Sequence, residues 1–310
     1  STALSSRIVD VAIHAHLDLI HVHYAIPHAA SAYMAKQILQ TKGIYLPVIT
    51  TLHGTDITLV GKDSAYEPVV TFSMNQSDGL TAVSESLKQD TFSHFDVEKV
   101  IEVIPNFVDF SRFNKSNKDH FKKAIAPNGE RILTHVSNFR KVKRVQDVVK
   151  MFCKVAEEVP AKLLMIGDGP ERLMAENLVR KMCPFNSEIR FLGKQDAVEE
   201  ILSVSDLFIM PSQTESFGLA ALEAMACEVP VISSNSGGIP EVNINGITGF
   251  TVEVGDVDGL AKAALKLLKD DELLTRFKAQ AYEQAQRFDL THILPLYESY
   301  YQKILDRVRI

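Results

Sequence analysis

The sequence predicts an α/β protein built from two open, parallel-sheet domains that face a cleft. Three observations predict this. Short β-rich apolar runs alternate with helical patterns along nearly the whole chain. The alternation is interrupted once, by a polar Lys/Asn-rich stretch. A chain of 310 residues that is 46% hydrophobic also has core material for two domains rather than one. Strand–helix alternation of this kind produces right-handed βαβ units, with helices covering both faces of parallel sheets.

The first series of strand candidates is "DLIHVHY" (Asp18–Tyr24), "PVITTLHG" (Pro47–Gly54), "GLTAVS" (Gly79–Ser84) and "VIEVIPN" (Val100–Asn106). The second is "RILTHVS" (Arg131–Ser137), "AKLLMIGDG" (Ala161–Gly169), "IRFLG" (Ile189–Gly193), "DLFIMPS" (Asp206–Ser212), "VPVISS" (Val229–Ser234) and "GFTVE" (Gly249–Glu253). Helical patterns lie between them, over Val142–Glu158, Glu171–Met182 and Phe217–Cys227. The interruption is Asp109–Glu130, polar and carrying Pro127 and Gly129. The expected organisation is a first domain over 1–112, a linker over 113–130 and a second domain over 131–289. A helix over 290–310 follows, which either returns to the first domain or caps the second. The chain opens on a helical pattern, Ser1–Leu17, where open α/β domains start with a strand and a turn, so the first domain is expected to lack its N-terminal strands.

A net charge of −6 with mixed signs argues against nucleic acid or an anionic membrane as the main partner. The oligomeric state stays open, a homo-oligomer included. Cys153, Cys183 and Cys227 form no CxxC pair, which favours a reducing compartment over a disulfide framework or a structural zinc. With no apolar run of spanning length and no leader, the expectation is a soluble cytoplasmic protein.

The most informative stretch is Thr214–Val242, "TESFGLAALEAMACEVPVISSNSGGIPEV". Ser216 reads as an N-cap, which gives the amides of Phe217, Gly218 and Leu219 to a first helical turn suited to an anion. Gly218 lets a ligand approach the backbone. Glu223 follows Phe217 by six residues, roughly 9 Å along the axis. That is the reach from a diphosphate to a ribose, whose hydroxyls a carboxylate accepts. Glu215 precedes the cap and points towards whatever the diphosphate carries. Positive charge comes from "SNFRKVKR", where Arg140 offers a planar fork and Lys143 a point charge.

In the first domain "TLHGTD" places His53 at the carboxyl end of a strand, where it can hydrogen-bond a sugar or relay a proton. His14, His16, His21, His23 and His28 cluster nearby, but without a carboxylate or cysteine at ligand spacing they read as packing or cleft lining rather than as a metal site. "IGDGPE" (Ile166–Glu171) is accounted for by a glycine turn and a helix with Pro170 in its first position. No GxGxxG opens a helix after any strand, which disfavours a nicotinamide dehydrogenase.

"ESFGLAALE" and the following "EAMACEVPVISSNSGGIPEV", with "GDGPE", "KVKRVQDVV" and "LHGTD" in order, resemble the retaining glycosyltransferases of family four over nearly the whole chain. The resemblance implies a GT-B fold of two Rossmann-like domains, the first on the acceptor side and the second binding the nucleotide sugar, with no metal cofactor. "HVHYAIPHA", "TLHGTDIT", "HVSNFRKVKRVQDVV" and "LGKQDAVEEIL" are most similar to the branch that transfers N-acetylglucosamine from UDP-GlcNAc to L-malate in bacillithiol biosynthesis. On this resemblance Glu215 contacts the donor sugar, Glu223 the ribose, the Gly218 and Leu219 amides the distal phosphate, and Lys143 the diphosphate. His53 sits by the sugar's reactive face, and attack is from the front face, the leaving phosphate taking the acceptor's proton.

Many members of the family carry arginine at the place of Asn138, a role that Arg140 takes over here. The family's first strand and glycine-rich loop have no counterpart before Ser1. Malate is a dianion, yet Ile44–Phe110 offers only Lys62, Lys88 and Lys99 as fixed cations, and Tyr24 is the expected acceptor contact. The alternatives are a same-fold transferase acting on an inositol phosphate, polysaccharide or lipid, and a non-catalytic nucleotide-sugar-binding protein.

Overall fold

The computed structural model describes residues 2–59, 63–115, 119–183 and 188–308, and Lys62 lies outside them. The chain forms two units, one of Ser1–Asn106 with Thr291–Ile310 and the other of Phe107–Leu290.

In the first unit α1 (Thr2–Ala15) leads into β1 (Ile20–His23), followed by α2 (Ala30–Gln40), β2 (Val48–Leu52), α3 (Glu67–Gln76), β3 (Gly79–Ala82), α4 (Glu85–His94) and β4 (Ile101–Val103). The four strands pair in parallel in sequence order. Every residue of β2 and β3 is buried, as apolar and β-branched runs covered on both faces must be. One face packs Ala12, Leu39 and Val48 under α1 and α2. Ser84 starts α4 by accepting the Leu87 amide at 3.0 Å, which leaves the loop after β3 short.

The second unit contains α5 (Asp119–Ile125), β5 (Arg131–Val136), α6 (Val145–Ala156), β6 (Ala161–Ile166), α7 (Arg172–Met182), β7 (Ile189–Gly193), α8 (Val198–Leu202), β8 (Leu207–Met210), α9 (Leu219–Ala226), β9 (Val231–Ser234), α10 (Ile239–Val242), β10 (Gly249–Val252), α11 (Val257–Leu268) and α12 (Asp271–Gln286). Its six parallel strands run β10-β9-β8-β5-β6-β7. The order reverses between β5 and β8, so the loops leaving these two strands diverge and open a crevice at their carboxyl ends. The core below is large, with Phe139, Phe152 and Phe208 among its fully buried side chains.

Several expectations change. The chain passes between the units at Asn106/Phe107, earlier than the 113–130 stretch. Within that stretch Ile125 and Ala126 join a core cluster with Ile132 and Leu164. The composition is polar because one side of α5 faces solvent, not because the segment is a spacer. Cys153 and Cys183 are joined in a disulfide, their Cα atoms 5.7 Å apart, because α6 and α7 lie side by side on the sheet. Sequence spacing cannot report that neighbourhood, and the argument for a reducing compartment loses its basis. Pro170 lies two residues before α7 rather than in its first position.

The final helix, α13 (Leu290–Val308), packs within the first unit. Ile293, Tyr297, Tyr300 and Ile304 cover Ile49 and Ile104, and the Tyr300 hydroxyl donates to the Leu80 carbonyl at 3.1 Å. Close approach depends on Gly79. A Cβ there would stand 2.8 Å from Tyr300 Oη and 3.1 Å from Ile304 Cδ1. Gly79→Val is therefore expected to loosen α13, raising amide exchange over 293–304 and lowering stability by about 1–3 kcal/mol in urea titrations. Unchanged protection of that helix would contradict the packing described.

Candidate active site

Glu215 is placed by main-chain contacts from three strand ends. The loop after β5 meets the loop after β8 where the Gln213 amide donates to the Val142 carbonyl at 2.7 Å. From the loop after β9 the Gly238 amide donates to the Glu215 carbonyl at 2.9 Å. Gly237 (φ +55°) lies against that same carbonyl, where a Cβ would collide with it. Ser236 Oγ donates to the Gln213 carbonyl at 2.7 Å, and Ser234 Oγ to that of Ser212. The SNSGG sequence is thus a cradle for the Gln213–Glu215 backbone. Ser212, Ser234, Ser236 and Gly237 were not singled out by the sequence reading, although their Ser/Gly pattern signals a backbone-hugging turn.

Lys143 Nζ lies 2.5 Å from Glu215 Oε2, both side chains mostly buried. The two residues expected to serve different parts of one ligand therefore pair with each other. Arg144 instead takes a left-handed conformation (φ 50°) and binds Asp147 at 2.5 Å, a local role in starting α6. Arg140 and Lys141 are exposed, and neither has an ion-pair partner among the described residues. Asn138 is also exposed, with its carbonyl against Gly169. Gly167 (φ +119°) likewise fits under the Ser137 carbonyl, so "GDG" allows close packing of the loops after β5 and β6.

The α9 start differs from the expectation. Gly218, not Ser216, is the N-cap, in a left-handed conformation (φ 96°) that favours glycine, and no side chain caps the helix. Ser216 stays in the preceding loop because that loop must turn to return Glu215 to the β9 cradle. Among the described residues nothing accepts from the amides of Phe217, Gly218, Leu219 or Ala220, so the first-turn donors are available. The Phe217 side chain is buried edge-on against Phe288 and contributes packing. Glu223 stands four residues into α9 from Leu219, about 6 Å along the axis.

Burial raises the Glu223 pKa from 4.5 to about 7, opposed by Arg112 and reinforced by Glu199. Arg112 binds Glu199 at 3.2 Å, an ion pair beside Glu223 that the sequence reading missed. Beneath the loops His135 is fully buried, hydrogen-bonded to the Ile209 carbonyl and Ser137 Oγ, each at 2.8 Å, and burial lowers its pKa to about 4. It is a neutral strut.

The first unit carries its own constellation at the ends of β1 and β2. His53 Nε2 lies 2.8 Å from His23 Nδ1. His21 binds the Tyr301 hydroxyl and Thr51 Oγ1, each at 2.7 Å. The Tyr24 ring lies 5.0 Å from that of His53, and Tyr24 itself has a positive φ of 75°. Asp56, two residues past Gly54, accepts the Gly54 amide at 3.0 Å and the Ala25 amide at 2.8 Å, tying the His53 and Tyr24 loops together. Burial lowers the pKa of His21 and of His53 to about 4, each with help from His23, so both are neutral near pH 7. Among the described residues no group of three or more His, Cys, Asp or Glu is arranged to hold a metal ion, and no helix is long and apolar enough to cross a membrane.

The Glu223 shift has a stability consequence. A carboxyl whose folded pKa is raised contributes stability that is present below about 4.5 and lost as the pH rises to about 7. Glu223→Gln is expected to flatten this dependence and to be more stable than the parent above pH 7, by up to about 3 kcal/mol in denaturant titrations. Parallel pH profiles for parent and variant would refute the assignment.

Comparison with known proteins follows this geometry. The family model described as "Glycosyl transferases group 1" matches residues 116–284, and "Glycosyltransferase Family 4" matches residues 1–112. N-acetyl-alpha-D-glucosaminyl L-malate synthase of Bacillus anthracis is 46% identical over 305 residues, covering 98% of this chain and 79% of that protein. Among solved structures, Anabaena Alr3699/HepE in complex with UDP-glucose superposes with a TM-score of 0.83 at 20% identity, over 98% of this chain and 81% of that one. A glycosyltransferase from Rickettsia africae gives 0.79 at 23% identity, over 98% and 81%. With two parallel sheets, these matched models and these structural likenesses, the chain belongs to the group 1/family 4 glycosyltransferases of GT-B fold.

Proposed function

We propose that this glycosyltransferase moves N-acetylglucosamine from UDP-GlcNAc to the hydroxyl of L-malate, with retention at the anomeric carbon, the transfer used in bacillithiol biosynthesis. The observation that carries the reading is the 46% identity, over almost the entire chain, to a protein named for that synthesis.

The residues of the second unit suit the donor. The first-turn amides of α9 and the helix dipole receive the distal phosphate, while Arg140 and Lys143 neutralise the diphosphate. Glu223 accepts the ribose hydroxyls and Glu215 the sugar hydroxyls. Lys143 leaves Glu215 for the phosphate as the donor arrives, so both partners of the 2.5 Å pair exchange one polar contact for another. The fixed cations and amides stabilise the departing diphosphate electrostatically, and the reading needs no metal. In the first unit His53 serves the sugar's reactive face and Tyr24 the acceptor.

The test is release of UDP from UDP-GlcNAc on addition of L-malate, with inositol phosphate and simple glycosides as comparison acceptors. Release with malate alone is expected. No acceptor-dependent release would leave a binding protein, and release with another acceptor would move the assignment within the family.

Glu223→Ala is expected to weaken UDP binding about tenfold or more by calorimetry, because a buried ribose loses its acceptor. Glu215→Ala is expected to cut turnover by at least about a hundredfold with UDP affinity undiminished, since Lys143 is then free for phosphate. Unaltered UDP binding by Glu223→Ala would overturn the ribose role.

Because hydroxyls donate to the ionised carboxylate, UDP affinity should rise by up to about tenfold between pH 6 and 8 in the parent. Glu223→Gln should lose this slope.

A further inference from the structure

We infer that His23 is a positioning residue for His53: it occupies His53 Nε2 and so leaves Nδ1 as the single ring nitrogen that His53 presents to a ligand. This rests on the reading of His53 as a group that meets the reacting sugar.

The Nδ1–Nε2 distance is 2.8 Å, with ring centroids 4.9 Å apart and the planes inclined at 46°. A neutral imidazole has one N–H donor and one bare acceptor nitrogen. Two neutral imidazoles sharing one hydrogen must therefore take opposite roles at the shared contact. If His53 donates from Nε2, its Nδ1 is an acceptor; if it receives, its Nδ1 is a donor. The tautomer of His23 and the polarity of the atom His53 offers are thus coupled. It also stops the His53 ring from flipping about its Cβ–Cγ bond, which would replace Nδ1 by a carbon. Among the described residues no group partners His53 Nδ1.

His23 can do this because its backbone is fixed and its ring packs against that of His21. It lies in β1, in register with Thr51 of β2. Its carbonyl is met by His28 Nδ1 at 2.6 Å, and its ring lies 4.6 Å from that of His21. His21 in turn is pinned at both nitrogens by Tyr301 and Thr51, and Thr51 Oγ1 lies 2.6 Å from Thr81 Oγ1. The order therefore runs from α13 and the strand ends up through His21 and His23 to His53.

The variants are chosen by atom position. Asn at 23 can place an amide where Nδ1 stands, Gln places it nearer Nε2, and Phe keeps the ring without any hydrogen bond. In nitrogen-15 spectra of the ligand-free chain, His53 Nε2 is expected to show the shift of a hydrogen-bonded nitrogen in the parent and in His23→Asn, and to lose it in His23→Phe. UDP-GlcNAc turnover should fall about 10–100-fold in His23→Phe and His23→Gln and recover substantially in His23→Asn, with UDP affinity within about twofold throughout. An unchanged His53 Nε2 shift in His23→Phe would overturn the proposal, as would parent-like turnover in His23→Phe alongside an inactive His53→Phe. If the spectra shift as expected while His53→Phe keeps full turnover, the pairing stands and the catalytic reading of His53 is what fails.

Discussion

The second unit's chemistry depends on a backbone clamp around Glu215. Three loops leave the carboxyl ends of β5, β8 and β9, and two main-chain hydrogen bonds, Gln213 to Val142 and Gly238 to Glu215, tie them into one body. These bonds fix the backbone from which the Glu215 side chain projects, and Lys143 Nζ and Ser212 Oγ then meet its carboxylate. The glycines follow from this, since at Gly237 a Cβ would fall on the Glu215 carbonyl. The strand-order reversal creates the opening, and the clamp determines what faces into it.

Two of the carboxylates in this region are answered by a cation. Glu215 is neutralised by Lys143, and Asp147 by Arg144. Glu223, with Arg112 as its favourable neighbour among the described residues, responds to burial by taking up a proton more readily. A buried carboxylate left in that condition costs stability and is kept where a partner arrives from outside. In the first unit the same end is reached without charge: His21 and His53 stay neutral, His21 with both ring nitrogens hydrogen-bonded and His53 with its Nε2 so engaged.

Much of this was legible in the sequence, because periodicity and strand-end position are local properties. The strand runs, the helix at the N-terminus, and the placing of His53, Lys143, Glu215 and Glu223 beyond strand ends all follow from patterns a few residues long. What escaped involves partners distant in sequence. The Lys143–Glu215 pair spans 72 residues, and the Cys153–Cys183 bridge needs the side-by-side packing of α6 and α7. Ser216 satisfied the composition rule for a cap, yet the pull of the β9 loop on Glu215 moved the helix start to Gly218. His21 and His23 could be seen to share a strand face, but the bond from His23 to His53 depends on the β1–β2 register.

The first unit is assembled from two segments far apart in sequence, with α13 lying over strands formed before Phe107. During translation Ile49 and Ile104 leave the ribosome long before Ile293, Tyr297, Tyr300 and Ile304 exist to cover them. The 184 residues of Phe107–Leu290 are complete before the earlier-made sheet receives this layer. A sheet made before the second unit is therefore covered after it, and a chain stopped short of Thr291 would leave an apolar sheet face open to association with other nascent chains.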